Sequence, residues 1–353
     1  MIISHECPAC LLEESRKFND YDYALVHLFP DHPDYFEFFV ESLRMGRTVI
    51  LDNSLYELGE AFDMKEYAYW INKLHPTAYI VPDAFWDSQK TIELSQEWML
   101  SEGRYLSQDI LTIGVAQGST YKDIVRSYKY MDAVCDIIAF TFKFHPDTEV
   151  EIKWPMLELY NTNTNTCTSS ARMFINNDIN TSIVTYTDTD KQAWMRYEIL
   201  RRLMDAGIIN TNKWHHLLGI QNTCMLTRMV KDFPWLRSID TSNPVILGMG
   251  DTMYGPVYER LSGYSAFIYN GNALQGKPIS TINGIFECSM PDQDIMDKIY
   301  HNIHCFRDIV SGNIVEIPVC DIKGTEMIRH IITQISNDNI VNPMKINNII
   351  CDI

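Results

Sequence analysis

The sequence predicts an α/β protein folded as a (β/α)8 TIM barrel, with an insertion after the fifth strand and a small C-terminal accessory segment. Three observations lead there. Eight short apolar runs alternate with longer stretches of helical periodicity. Most of the runs are β-branched or apolar throughout, as strands covered on both faces require. The length, 353 residues with 46% hydrophobic, suits one large barrel carrying an appendage.

The runs fall at residues 23–28, 48–52, 78–83, 111–117, 136–142, 215–220, 236–240 and 265–269. Between them the spacing predicts helices over residues 33–45, 64–74, 88–101, 121–131, 191–206 and 223–231. A helix after each strand makes neighbouring strands parallel and their crossovers right-handed, and eight such units close a barrel. A doubly wound open sheet is the alternative, but no Gly-rich phosphate loop follows the first run. Residues 143–183 interrupt the repeat and contain the polar stretch Asn161-Thr162-Asn163-Thr164-Asn165-Thr166. In a barrel this insertion rises on the active-site face, as a lid or a docking loop. The tail, 311–353, reads as a strand over 314–319, a helix over 326–335 and an Asn/Ile-rich end. The main unit is therefore 1–310, with 311–353 packed on it.

Composition narrows the function classes. A net charge of −17 disfavours non-specific binding to nucleic acid. Local basic patches remain open at Lys122, Arg126 and Lys129, at Arg196, Arg201 and Arg202, and at Arg228 and Lys231; solvated helix faces are the plainer reading. Nine scattered cysteines, an odd number, argue for a reducing compartment and a cytoplasmic location rather than a disulfide framework. No window approaches the ~18 apolar residues of a membrane span, and the N-terminus lacks the basic start and apolar run of a secretory signal.

Barrel active sites form at the C-terminal ends of the strands. There the sequence places Asp52, Asp83, Gln117 followed by Gly118, Leu218 with Gly219, and Asp240. An aspartate after a strand is often only a cap or turn residue. Three at one mouth, with a glutamine, suit chemistry at an anomeric carbon. One carboxylate attacks C1′, another moves a proton, and the amide with the third carboxylate reads the polar edge of a planar heterocycle. Tyr56 is placed to stack on its face. Like charges at such a mouth raise at least one pKa and divide acid from base.

At these residues the chain resembles the tRNA-guanine transglycosylase superfamily, over roughly residues 20–270. Asp52-Asn53-Ser54-Leu55-Tyr56-Glu57 is similar to that family's Asp-Ser-Gly-Gly-aromatic-Gln motif. Gly114-Val115-Ala116-Gln117-Gly118 resembles Gly-Ile-Val-Gln-Gly-Gly, and Leu217-Leu218-Gly219-Ile220 resembles Leu-Met-Gly-Val. Asp240 in Ile239-Asp240-Thr241-Ser242-Asn243-Pro244 resembles the nucleophile of Phe-Asp-Cys-Val-Leu-Pro. The resemblance implies Asp240 as nucleophile, Asp52 as general acid/base, Tyr56 as a stacking residue, and Asp83 and Gln117 as readers of the base. It also implies a pocket lined by Gly118, Leu218 and Gly219, and pairing of two copies as a homodimer.

The departures are specific. Ser54 and Leu55 stand where the family has two glycines, and Ala139-Phe140-Thr141-Phe142-Lys143 replaces its Gly-Gly-Leu-Ala-Val-Gly. The Cys-x-Cys-x-x-Cys zinc motif is absent, and Val245-Ile246 follows Pro244 in place of Thr-Arg. This pattern resembles the phage-borne branch, the DNA-guanine transglycosylases, which insert 7-cyano-7-deazaguanine or a relative into DNA. It implies a flipped or single-stranded guanine, a covalent aspartyl-glycosyl intermediate, retention of configuration and no metal or redox cofactor. A phage origin places the protein in its host's cytoplasm. Transfer to tRNA, a nucleoside or glycoside hydrolase using water, and a catalytically silent nucleic-acid-binding barrel are the competing readings.

Weaker signals stay open. Cys7-Pro8-Ala9-Cys10 is half a zinc site if His301, His304 or Cys305 completes it, and otherwise structural. Of His215 and His216, adjacent in a strand, one points into the barrel and the other at a helix. Phe85 and Trp86 line the base pocket or simply pack the loop after Asp83. Lys143 meets a substrate phosphate or is a solvated loop lysine.

Overall fold

The computed structural model describes residues 1–142, 144, 174–175, 182–183, 188–220, 223–250 and 290–311. Eight parallel strands form one nearly closed barrel-shaped sheet. They are β1 (Ile2–His5), β2 (Asp22–Leu25), β3 (Val49–Asp52), β4 (Ala78–Ile80), β5 (Leu111–Ala116), β6 (Ile137–Phe140), β7 (Trp214–Leu217) and β8 (Leu236–Thr241). The hydrogen-bonded order is β1-β8-β7-β6-β5-β4-β3-β2. Residues 2–5, which periodicity did not mark as a strand, thus supply a barrel stave; the expected run at 265–269 lies outside the described residues. Counted from β1, the insertion at 143–183 follows the sixth strand. Within it Phe174–Ile175 and Ser182–Ile183 pair as short antiparallel strands. The remainder of the insertion, Lys143 and the tail beyond Ser311 lie outside the described residues.

The helices begin where the sequence provides caps. α1 (Leu12–Ser15) is a single turn; α2 (Pro33–Arg44) opens on a proline whose missing N–H costs nothing there. α3 (Leu55–Leu58) is again one turn. α4 (Met64–Leu74) is capped by Asp63, which accepts from Lys65 N and Glu66 N at 3.0 Å. Asp87 caps α5 (Ser88–Leu100), and Thr120 caps α6 (Tyr121–Val134). α7 (Asp188–Asp205), α8 (Thr223–Asp232), α9 (Asn243–Met249) and α10 (Gln293–Val310) complete the outer ring. Among the described residues no helix is long and apolar enough to cross a membrane.

Where its ladder ends the barrel is closed by side chains and one backbone bond, from Asp20 N to Ile3 O at 2.9 Å. No backbone ladder joins β1 to β2. Instead Asn19 accepts from His5 N at 2.7 Å and donates to His5 O at 2.9 Å, acting as a substitute strand amide. Asp20 accepts from Ile3 N at 2.8 Å one step lower. Outside this seam α10 packs on α9, at a contact where any side chain on Gly248 would come within 2.5 Å of Ile299 Cγ1. Arg307 of α10 bonds Phe18 O and Asp20, so the last described helix braces the first strand.

Candidate active site

Because all eight strands run the same way, their C-terminal ends share one rim. Asp240 lies in β8 near its end, 3% exposed. Its two oxygens accept different donors: His216 Nε2 at 2.9 Å and Gly219 N at 3.0 Å. Gly219 takes φ +58, a conformation that favours glycine. The buried Arg196 of α7 clamps this loop, donating to Leu218 O and Gly219 O at 2.7 Å each. Burial pushes the Asp240 carboxyl up to about 7, opposed by the Gly219 hydrogen bond and reinforced by Asp52.

A relay orients His216. Ser238 Oγ accepts from Trp214 Nε1 at 2.8 Å and lies 2.8 Å from His216 Nδ1. That assigns the Ser238 proton to Nδ1 and leaves Nε2–H to donate to Asp240. Burial presses the His216 pKa down to about 3, so the ring is neutral. The alternation expected of the pair holds: His216 faces inward, and His215 faces outward to Tyr128 Oη at 3.0 Å.

Asp52, at the end of β3, accepts from Tyr23 Oη and, at 2.6 Å, from Ser54 N. Burial raises its pKa while these two donors hold it down. The Tyr23 ring lies nearly parallel to His216, with centroids 6.2 Å apart, so the Asp52 and Asp240 networks adjoin. Ser54 has φ +59, and its Oγ lies 2.8 Å from His27 Nδ1.

A second cluster sits across the rim. Asp83 and Gln117 are each 2% exposed. Asp83 accepts from Asn53 Nδ2 at 2.7 Å and Gln117 Nε2 at 2.9 Å, and Gln117 Oε1 accepts from Trp86 N at 3.3 Å. These bonds use one amide hydrogen of Gln117 and leave one for a ligand. Burial drives Asp83 up to about 7, with Asn53 and Gln117 pulling it back and Asp52 adding to the rise. Gly118 is needed for the turn itself, since a Cβ there would lie 2.6 Å from Ile124 N. Tyr56, 42% exposed, stands at the rim edge-on to Phe142 and Phe85, with centroids 5.0 and 6.3 Å away. Leu218 is half-buried beside Gly219.

The structure thus brings Asp52, Asp83, Gln117 and Asp240 to one mouth, and adds two carboxyls that sequence reasoning missed. Glu6 follows β1, its N–H donating to Thr241 O at 3.1 Å next to Asp240 in β8. Burial, then Asp240 and Asp52, hold its pKa well above the carboxylate range. Glu57 is pushed up to about 9 by burial, with Asp52 and Glu6 adding to it. The signal for Glu6 was its spacing from Ser4 on one strand face, which appears only once residues 2–5 are recognised as a strand.

Other candidates are dispersed. Cys7 Sγ donates to His5 O at 3.3 Å, and Cys305 Sγ lies 3.6 Å from His301 Nε2. Among the described residues no three His, Cys, Asp or Glu side chains are grouped to hold a metal ion. Arg201 and Arg202 both pair with Glu198, and Arg126 donates to Ser88 Oγ at 2.6 Å. No family model matches the chain, and a search of curated proteins returned no match.

Proposed function

We propose that this protein is a base-exchange transglycosylase that replaces guanine in a nucleic acid, DNA in the first instance, with a 7-deazaguanine. The observation that carries the reading is the division of the mouth into two parts. Asp240 is aimed and desolvated by His216 and Gly219 on one side. Asp83 and Gln117 form a linked acceptor–donor edge on the other. A sugar hydrolase has use for the first part; a planar, polar base also needs the second.

In this reading Asp240 attacks C1′ of a flipped or single-stranded nucleotide, and guanine leaves as a covalent glycosyl intermediate forms. The 7-deazaguanine takes guanine's place against Asp83 and Gln117, loses its N9 proton to Asp52 and displaces Asp240. Asp52 suits a proton acceptor, because Tyr23 and Ser54 favour its ionised form. Two displacements retain configuration.

The test is transfer of radiolabelled 7-cyano-7-deazaguanine into guanine-containing DNA or, separately, tRNA, with Asp240→Ala alongside. Label in DNA that disappears in the variant supports the reading. Label in tRNA alone keeps the mechanism and changes the substrate. Guanine release without label favours a hydrolase, and neither release nor label favours a silent barrel.

A further inference from the structure

The base-exchange chemistry leaves a buried cation unused. Arg196 is 1% exposed, and among the described residues it makes no ion pair. Its Nε is buried without a hydrogen-bond partner. Burying a charge with no opposite charge beside it is costly, so what the guanidinium does touch matters. Its two outer nitrogens donate to successive carbonyls, Nη1 to Leu218 O and Nη2 to Gly219 O, at 2.7 Å each. Met195, Ile199, Leu200 and Leu203 are buried beside it on α7, so the helix holds the guanidinium still against the loop.

Leu218 O and Gly219 N belong to one peptide unit. Its oxygen end accepts from Arg196, and its N–H end donates to Asp240 Oδ2 at 3.0 Å. In a trans peptide these ends point opposite ways, which puts the guanidinium and the carboxyl at the two poles of one dipole. Each bond polarises the peptide in the sense that strengthens the other. The second grip, on Gly219 O, fixes the following peptide and with it the φ +58 that turns Gly219 N toward Asp240.

The groups that face Asp240 come from most of the barrel. They are His216 of β7, Tyr21 beside β2, Tyr23 of β2, Asp52 of β3, Glu57 of α3, Glu6 beyond β1 and Arg196 of α7. His216 is neutral, so of these groups Arg196 alone carries positive charge. It is still charged at neutral pH, because burial lowers its pKa only to about 9 while Asp240 holds it up.

We propose that Arg196 is a positioning residue for the nucleophile: through the Leu218–Gly219 peptide it aims the N–H that holds Asp240 Oδ2, and its charge favours the ionised carboxyl that attacks C1′. This rests on the base-exchange reading above. Each Asp240 oxygen keeps a second lone pair, so the hold does not block attack. When the entering base displaces Asp240, the same charge favours the departing carboxylate.

The test is single-turnover guanine release from single-stranded DNA and, separately, tRNA, across about pH 5.5–9, by wild type, Arg196→Met and Arg196→Lys. Circular dichroism confirms that each variant is folded. Should Arg196→Met not fold, Arg196→Gln removes the charge in its place, with the same expected shift. Two hydrogen bonds and the peptide between them separate the charges by roughly 8 Å. Over that distance, at intermediate dielectric, loss of the cation raises the Asp240 pKa by about one unit or more. The acid limb of the neutral variant is therefore expected to move to higher pH by about one unit, with release about tenfold slower at the acid end and the deficit shrinking as pH rises. Arg196→Lys keeps a cation behind the same peptide and is expected to move the limb less than half as far. A neutral variant slowed equally at every pH, or one that is not slowed, overturns the proposal and leaves base exchange intact, as does a limb that moves equally in the neutral and lysine variants. Wild type that releases guanine from neither polymer overturns the base-exchange reading, and this proposal with it.

Discussion

Replacing His216 by phenylalanine isolates what orients the nucleophile. The substitution keeps a ring against Tyr23 but deletes the N–H that lies 2.9 Å from Asp240 Oδ1. A hydrogen bond to a charged group contributes about 1.5–3 kcal/mol. At 1.36 kcal/mol per unit this raises the Asp240 pKa by about one to two units. Asp240 begins near 7 and is half ionised there. At pH 7 its ionised fraction then falls from about a half to between a tenth and a hundredth, a loss of about 5- to 50-fold in the rate of attack. The sign is definite: a raised pKa moves the acid limb of the profile upward, so the deficit is largest at low pH and shrinks as pH rises. The assay is single-turnover base release across about pH 5.5–9. A deficit of the same size at every pH, with the acid limb unmoved, would refute the reasoning and make His216 a packing residue only.

Two substitutions test the frame around the site. Gly219→Ala forces a side chain into φ +58 and brings a Cβ within 3.0 Å of Phe142 Cδ1. It is expected to cost about 1–2 kcal/mol of stability and, by shifting the N–H on Asp240, to slow base release about tenfold; a melting curve that drops with no change in release would disprove that link. Asn19→Ala leaves the buried His5 N–H and C=O without their partners, at about 2–4 kcal/mol in all. A denaturation midpoint that falls, together with faster hydrogen exchange at the His5 amide, is the expected result, and unchanged exchange would mean that the seam closes by other contacts.

Much of the frame was legible because it depends on local period. Six helices match the expected stretches, since apolar spacing and caps such as Asp63, Asp87 and Thr120 act within a few residues. Seven of the expected strand runs overlap a barrel strand, for the same reason. β1 was not legible: its four residues include Ser4 and His5, and nothing local marks them as a stave. They form a strand because Ile2 to His5 pair with Ser238 to Thr241, far along the chain.

The sequence by itself determined the barrel class and which side chains stand at the strand ends, because strand direction and residue order carry that information without knowledge of partners. Asp52, Asp83, Gln117 and Asp240 follow from it. Only the tertiary structure decided which groups touch. Register sets His216 rather than His215 beside Asp240, and the pairing of β1 with β8 brings Glu6 to the same end of the barrel. Desolvation then raises the pKa of those carboxyls, and burial at a shared mouth is a property of the assembled fold that no local spacing encodes.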